Sequence, residues 1–79
     1  MVELEEVLGK AKRFIYNEMR ADYGTARPLE AVLDENAAKW KIICKYAYSP
    51  NIFASPETKI VELKIDNTSG KIESFKQVK

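Results

Sequence analysis

The chain has no histidine, one cysteine, and no apolar run long enough to span a bilayer. Each absence removes a class of function. Without histidine there is no side chain whose ordinary pKa lies near neutrality, so acid–base catalysis lacks its usual centre. Cys44 stands alone, so it can neither close an intrachain disulfide nor join a second cysteine around zinc. A lone cysteine suits a reducing compartment. No glycine-rich loop precedes a helix, so there is no phosphate cradle. The opening MVELEEVLGK leads with acids and no long apolar stretch follows, which predicts neither a signal peptide nor a membrane span. Thirteen basic and 12 acidic residues leave a net charge of +1, too little for a broad field toward nucleic acid or anionic lipid. The expectation is a soluble cytoplasmic protein without cofactor, metal or membrane partner, and not an enzyme.

Seventy-nine residues support one domain, 1–79. A core of that size contributes only about 3–5 kcal/mol net, with no disulfide or metal to add to it. Lys, Glu and Ile are abundant, a usage like that of thermophiles.

Residues 3–20, ELEEVLGKAKRFIYNEMR, predict an amphipathic helix. Leu4, Leu8, Ala11, Ile15 and Met19 recur at spacings of three and four, flanked by Val7 and Phe14. Glu3, Glu5 and Glu6 favour the positive end of the helix dipole, and Glu6 with Lys10 makes an i, i+4 pair. Gly9 would allow close approach to a sheet, and Gly24 offers a left-handed stop. The segment LEAVLDENAAKW after Arg27-Pro28 fits either a helix or a strand. Local propensity slightly favours the helix, but we read a strand ending in a turn at Asp34-Glu35-Asn36, because the strand that follows needs a neighbour and the resemblance given below implies one. WKIICKYAY is that strand, with Trp40, Ile42, Cys44, Tyr46 and Tyr48 on one face and Lys41, Ile43, Lys45 and Ala47 on the other.

SPNIFASP is a loop between two Ser-Pro pairs. Its Ile52 and Phe53 are expected to fold over the open end of the core; if exposed, they would form a binding anchor. KIVELKIDNTSGKIESFKQVK closes the chain as a hairpin turned at Asn67-Thr68-Ser69-Gly70. A three-residue loop pairs Leu63 with Phe75 and Glu62 with Lys76; a four-residue loop pairs Ile65 with Ile72 and Lys64 with Glu73. The first is preferred, since it sets Phe75 beside Leu63 on the core side and leaves Ile72 and Val78 outside. The fold class is therefore α+β: one N-terminal helix packed on a four-stranded antiparallel sheet, in the order helix-strand-strand-strand-strand.

From Leu29 onward the chain resembles two known families. The strand VELKIDNTSGKIESF resembles the "strand, Asp, turn, Gly-Lys-Ile, strand" ending of PepSY-type domains. The whole stretch is also similar to the core of the small gas-vesicle accessory proteins of the O type, with their tryptophan-led strand and Gly-turned final hairpin. Both resemblances imply a binding or assembly module. Trp40 and Gly70 fall on pattern positions, and both read as structural.

The residues themselves agree with that class. The face away from the helix would carry Val32, Ile43, Ala47, Ile60, Ile72 and Val78, more apolar surface than a wet face requires. We expect a protein-binding or assembly module, self-associating or partnered through Ile43, Ile60 and Ile72, with Ile52 and Phe53 as a second surface. The alternative is a weak binder of single-stranded nucleic acid. For that reading, Lys39, Lys41 and Lys45 interleave with Trp40, Tyr46 and Tyr48, but strand geometry sends the lysines and the rings to opposite faces. Cys44, on the apolar side of its strand, reads as a packing thiol.

Overall fold

Alternation in the second half of the chain and helical spacing in the first build two layers. The computed structural model describes residues 3–78. Helix α1 (Leu4–Glu18) is followed by strands β1 (Arg27–Asp34), β2 (Lys39–Tyr48), β3 (Glu57–Asp66) and β4 (Ile72–Gln77). The strands form one antiparallel sheet in the order β1-β2-β3-β4. The segment that could have been helix or strand is β1.

The helix buries Val7, Ala11 and Ile15, a strict i, i+4, i+8 line, against Ile42, Cys44, Tyr46, Val61, Leu63 and Ile65 of the central strands. Leu8, Phe14 and Met19 flank that line, whereas Leu4, expected on it, is exposed. Each fully buried aliphatic side chain contributes about 1.5–3 kcal/mol against remaining in water. Further contacts fix the tilt of the helix. Toward β4, the Phe14 and Phe75 rings lie 5.1 Å apart, and Lys10 Nζ donates to the Gly70 carbonyl at 2.9 Å. Toward β1, the Ala26 N–H donates to the Tyr16 hydroxyl at 3.2 Å. Lys10 thus crosses to the hairpin turn rather than forming the expected pair with Glu6.

Two glycine expectations change. A Cβ on Gly9 would meet nothing within 4 Å, so Gly9 is not a point of close approach. The helix stops at Arg20, which takes the left-handed conformation (φ 54°), and Gly24 (φ 81°) serves a later turn. Gly70 does hold the left-handed conformation in the β3–β4 turn, φ 75°.

The final hairpin resolves the two registers by using both. Glu62 pairs with Lys76, Leu63 with Phe75 and Lys64 with Ser74, as the preferred register requires. The register then shifts, and Ile65 pairs with Ile72. Glu73 is the extra residue of a β-bulge. The shift corrects one expectation. Ile72 does not lie on the outer face but faces Ile65 and packs against the core. A second shift occurs in β1 between Pro28 and Glu30, leaving Leu29 without a partner. Leu29 consequently turns to the outer side, where it lines a depression with Lys45, Thr58 and Ile60.

At one end of the sheet the two hairpin turns are tied together. Trp40 Nε1 donates to Asn67 Oδ1 at 2.9 Å, and the Asn67 N–H donates to the Ala38 carbonyl at 2.9 Å. Asp34 Oδ1 caps the first turn by accepting the Asn36 and Ala37 N–H groups. At the other end, the Asp22 N–H donates to the Ala47 carbonyl and Ser49 Oγ donates to Asp22 Oδ2 at 2.7 Å.

Candidate functional site

Antiparallel sheets bury one face or two, and here α1 covers one. Strand alternation places Val32, Lys41, Lys64 and Ser74 in one row of the outer face, because these residues pair in sequence across the sheet. The next row is Glu30, Ile43, Glu62 and Lys76. A third holds Arg27, Lys45 and Ile60, and the Val78 N–H continues it by donating to the Ile60 carbonyl at 2.8 Å. Two of the expected site residues, Ile43 and Ile60, are therefore diagonal neighbours in adjacent rows of adjacent strands, both half-buried. Val32 and Val78 are exposed. Leu29, missed by the sequence reading, joins them at 56 % exposure; Ile72 leaves them. Pro28 carried the signal, since a proline within a strand marks an edge or a bulge.

The charged residues on this face are partly paired. Lys39 Nζ lies 3.0 Å from Glu73 Oε1, and Lys41 Nζ lies 3.5 Å from Glu62 Oε1. The first pair is exposed and the second only half-covered at Glu62, so each contributes no more than about 1 kcal/mol.

The Ile52-Phe53 pair behaves differently from expectation. Ile52 and Phe53 are 90 % and 92 % exposed, so neither folds over the core. The loop has its own internal bonds: Asn51 Oδ1 accepts the Phe53 N–H at 2.8 Å, and the Asn51 carbonyl accepts the Ala54 N–H at 3.2 Å. The structure therefore separates the five expected residues: Ile43 and Ile60 lie together on the outer face, Ile52 and Phe53 project from the β2–β3 loop, and Ile72 packs inward.

The polar chemistry is conformational. Asp66 accepts the Thr68 N–H at 3.1 Å and the Ser69 hydroxyl at 2.8 Å, and these bonds hold its carboxyl below the usual carboxylate range. Protonating it at acid pH removes that preference, so its contribution to stability is present above the ordinary carboxylate pKa and fades as pH falls through the lowered one. Cys44 is buried, and burial pushes its thiol from 9.0 to about 11, against an opposing pull from Lys12. A thiol so protonated is a poor nucleophile near neutrality. Between those two values the folded chain keeps a proton that the unfolded chain has lost, so stability falls as pH rises through that window. We expect an alkaline titration of stability to show a loss of about 2–3 kcal/mol that is missing from Cys44→Ala. Equal alkaline profiles for parent and variant would contradict the burial of this thiol.

Trp40, Tyr46 and Tyr48 lie on the core side, with Tyr46 buried, while Lys41 and Lys45 point outward. Cations and a ring do meet elsewhere. An open groove between α1 and the β3–β4 turn is lined by Lys10, Arg13, Phe14 and Lys71. Among the described residues, no group of three or more metal-ligating side chains comes together, and no helix is long and apolar enough to cross a membrane. Comparison with protein families, curated proteins and solved structures finds no match to this chain.

Proposed function

We propose that this chain is a small non-enzymatic assembly module that associates with a second copy of itself through the outer face of its sheet. The observation that supports this reading is the apolar content of the face that α1 leaves uncovered. Leu29, Val32, Ile43, Ile60 and Val78 lie there between charged residues of both signs. A sheet with one layer of cover gains by acquiring a second, as in a two-sheet sandwich. The interspersed Lys and Glu residues keep the face wettable in the free chain and supply partners in the bound one.

Ile43 sits on a central strand of that face, so it is the residue to change. Ile43→Lys should leave the fold intact and weaken self-association by at least about 30-fold, the effect of losing a central interface contact. Sedimentation equilibrium over a concentration series checks this. A parent chain that stays monomeric at high concentration removes the proposal.

The alternative reading, weak binding of single-stranded nucleic acid, draws on the groove that Lys10, Arg13, Phe14 and Lys71 line together with Glu18. Binding of that kind loses affinity steeply with added salt, whereas association through an apolar sheet face does not.

A further inference from the structure

Resting on the self-association reading, the geometry points to one arrangement of the two copies: a twofold axis running along the strands between β2 and β3, with β1 of each copy lying over β4 of the other. Sheets that pack face to face are about 10 Å apart, and a twofold relating them must lie in the plane between them. Two such axes are natural, one along the strands and one across them. The row Glu30, Ile43, Glu62, Lys76 decides between them. An axis across the strands, centred on this row, lays each strand over its own copy. It sets Glu30 over Glu30, Glu62 over Glu62 and Lys76 over Lys76, three like-charge contacts in the middle of the interface. An axis along the strands exchanges β1 with β4 and β2 with β3. It sets Glu30 over the partner's Lys76 and Ile43 over the aliphatic stem of the partner's Glu62, each twice by symmetry.

In the neighbouring row, Arg27, Lys45, Ile60 and Val78, the same axis brings the exposed Val78 over the aliphatic stem of the partner's Arg27, beside the exposed Leu29 of the bulge. Lys45 then lies over the partner's Ile60, where an aliphatic stem can cover an apolar side chain while its ammonium reaches the rim. Lys41 and the partner's Lys64 also face each other, but the Lys41 ammonium is already held by Glu62.

Within one chain Glu30 and Lys76 cannot reach each other. They sit on the two edge strands with β2 and β3 between them, about 14 Å apart at the usual strand spacing. Neither takes part in an ion pair among the described residues. Any coupling between them is therefore coupling between copies.

The test is a charge-reversal cycle read by sedimentation equilibrium, with thermal melting to confirm that each variant is folded. Glu30→Lys and Lys76→Glu should each weaken dimerisation about tenfold, and the double variant should return to within about threefold of the parent. If the parent dimerises and Ile43→Lys weakens it, but the double variant is as weak as the sum of the singles, this arrangement is overturned while the outer-face reading stands. A monomeric parent, or a dimer indifferent to Ile43→Lys, overturns both.

Discussion

Ile42→Ala should cost about 2–5 kcal/mol in urea unfolding, enough to leave much of a 79-residue chain unfolded. Ile42 is fully buried on the central strand β2, where it pairs with Ala31 on one side and Leu63 on the other beneath the helix. Truncation removes three methyl or methylene groups from water-free contact and leaves a cavity. The surrounding residues are held by strand pairing on both sides and cannot collapse into it. The control is one residue away. Ile43→Ala truncates the same side chain on the opposite face and should cost the monomer less than about 1 kcal/mol, since its surroundings are half solvent. Equal losses at the two positions would mean that the sheet has no distinct inside and outside, and the assembly proposal would go with it.

Trp40→Ala should cost about 3 kcal/mol, the lower end of the range for large aromatic truncation, because the ring is only half-buried. Two effects combine. The ring packs on the edge of the core, and its N–H satisfies Asn67, a buried polar residue. Trp40→Phe separates the two. It keeps most of the packing and removes the donor, leaving the Asn67 carbonyl unpaired at a cost of about 1–2 kcal/mol. Amide exchange gives a sharper readout. In Trp40→Phe the Asn67 N–H, which donates to Ala38, should exchange faster along with the β3–β4 turn, while the centres of β2 and β3 stay protected. Uniform loss of protection would show that the ring acts through the core alone.

What could be read from residues 1–79 was everything governed by a regular period. Helical spacing located α1, alternation located β2 and β3, and the need of β2 for a neighbour resolved β1. The departures all come from places where the period breaks. Ile72 and Phe75 are three apart, so a regular strand cannot turn both inward. A periodic reading gives up Ile72, whereas the bulge at Glu73 packs Ile72 on the core and leaves Phe75 against Phe14 on the helix side, 56 % exposed rather than in the core. That spacing was itself the clue. Leu29 was lost in the same way beside Pro28. The Lys10 contact with Gly70 and the Trp40 contact with Asn67 join residues far apart in sequence, and no local pattern encodes them. The Ile52-Phe53 loop failed for another reason. Apolar content predicts burial on average, but Asn51 turns this short loop back on itself and leaves both side chains outside.

The two bulges sit on β1 and β4, the two rims of the sheet. A rim with an unbroken row of free backbone donors and acceptors is a template on which another molecule's strand can be added, then another, without end. Here β1 slips register at Leu29, next to a proline that has no N–H to offer, and β4 slips at Glu73, whose carboxylate is held by Lys39. Neither rim keeps the even spacing that sideways zippering needs. Growth across the sheet is thus disfavoured at both borders, which is what the proposed face-to-face pair requires if it is to stop at two copies. The same irregularities that hide two side chains from a periodic reading steer this small protein away from fibres.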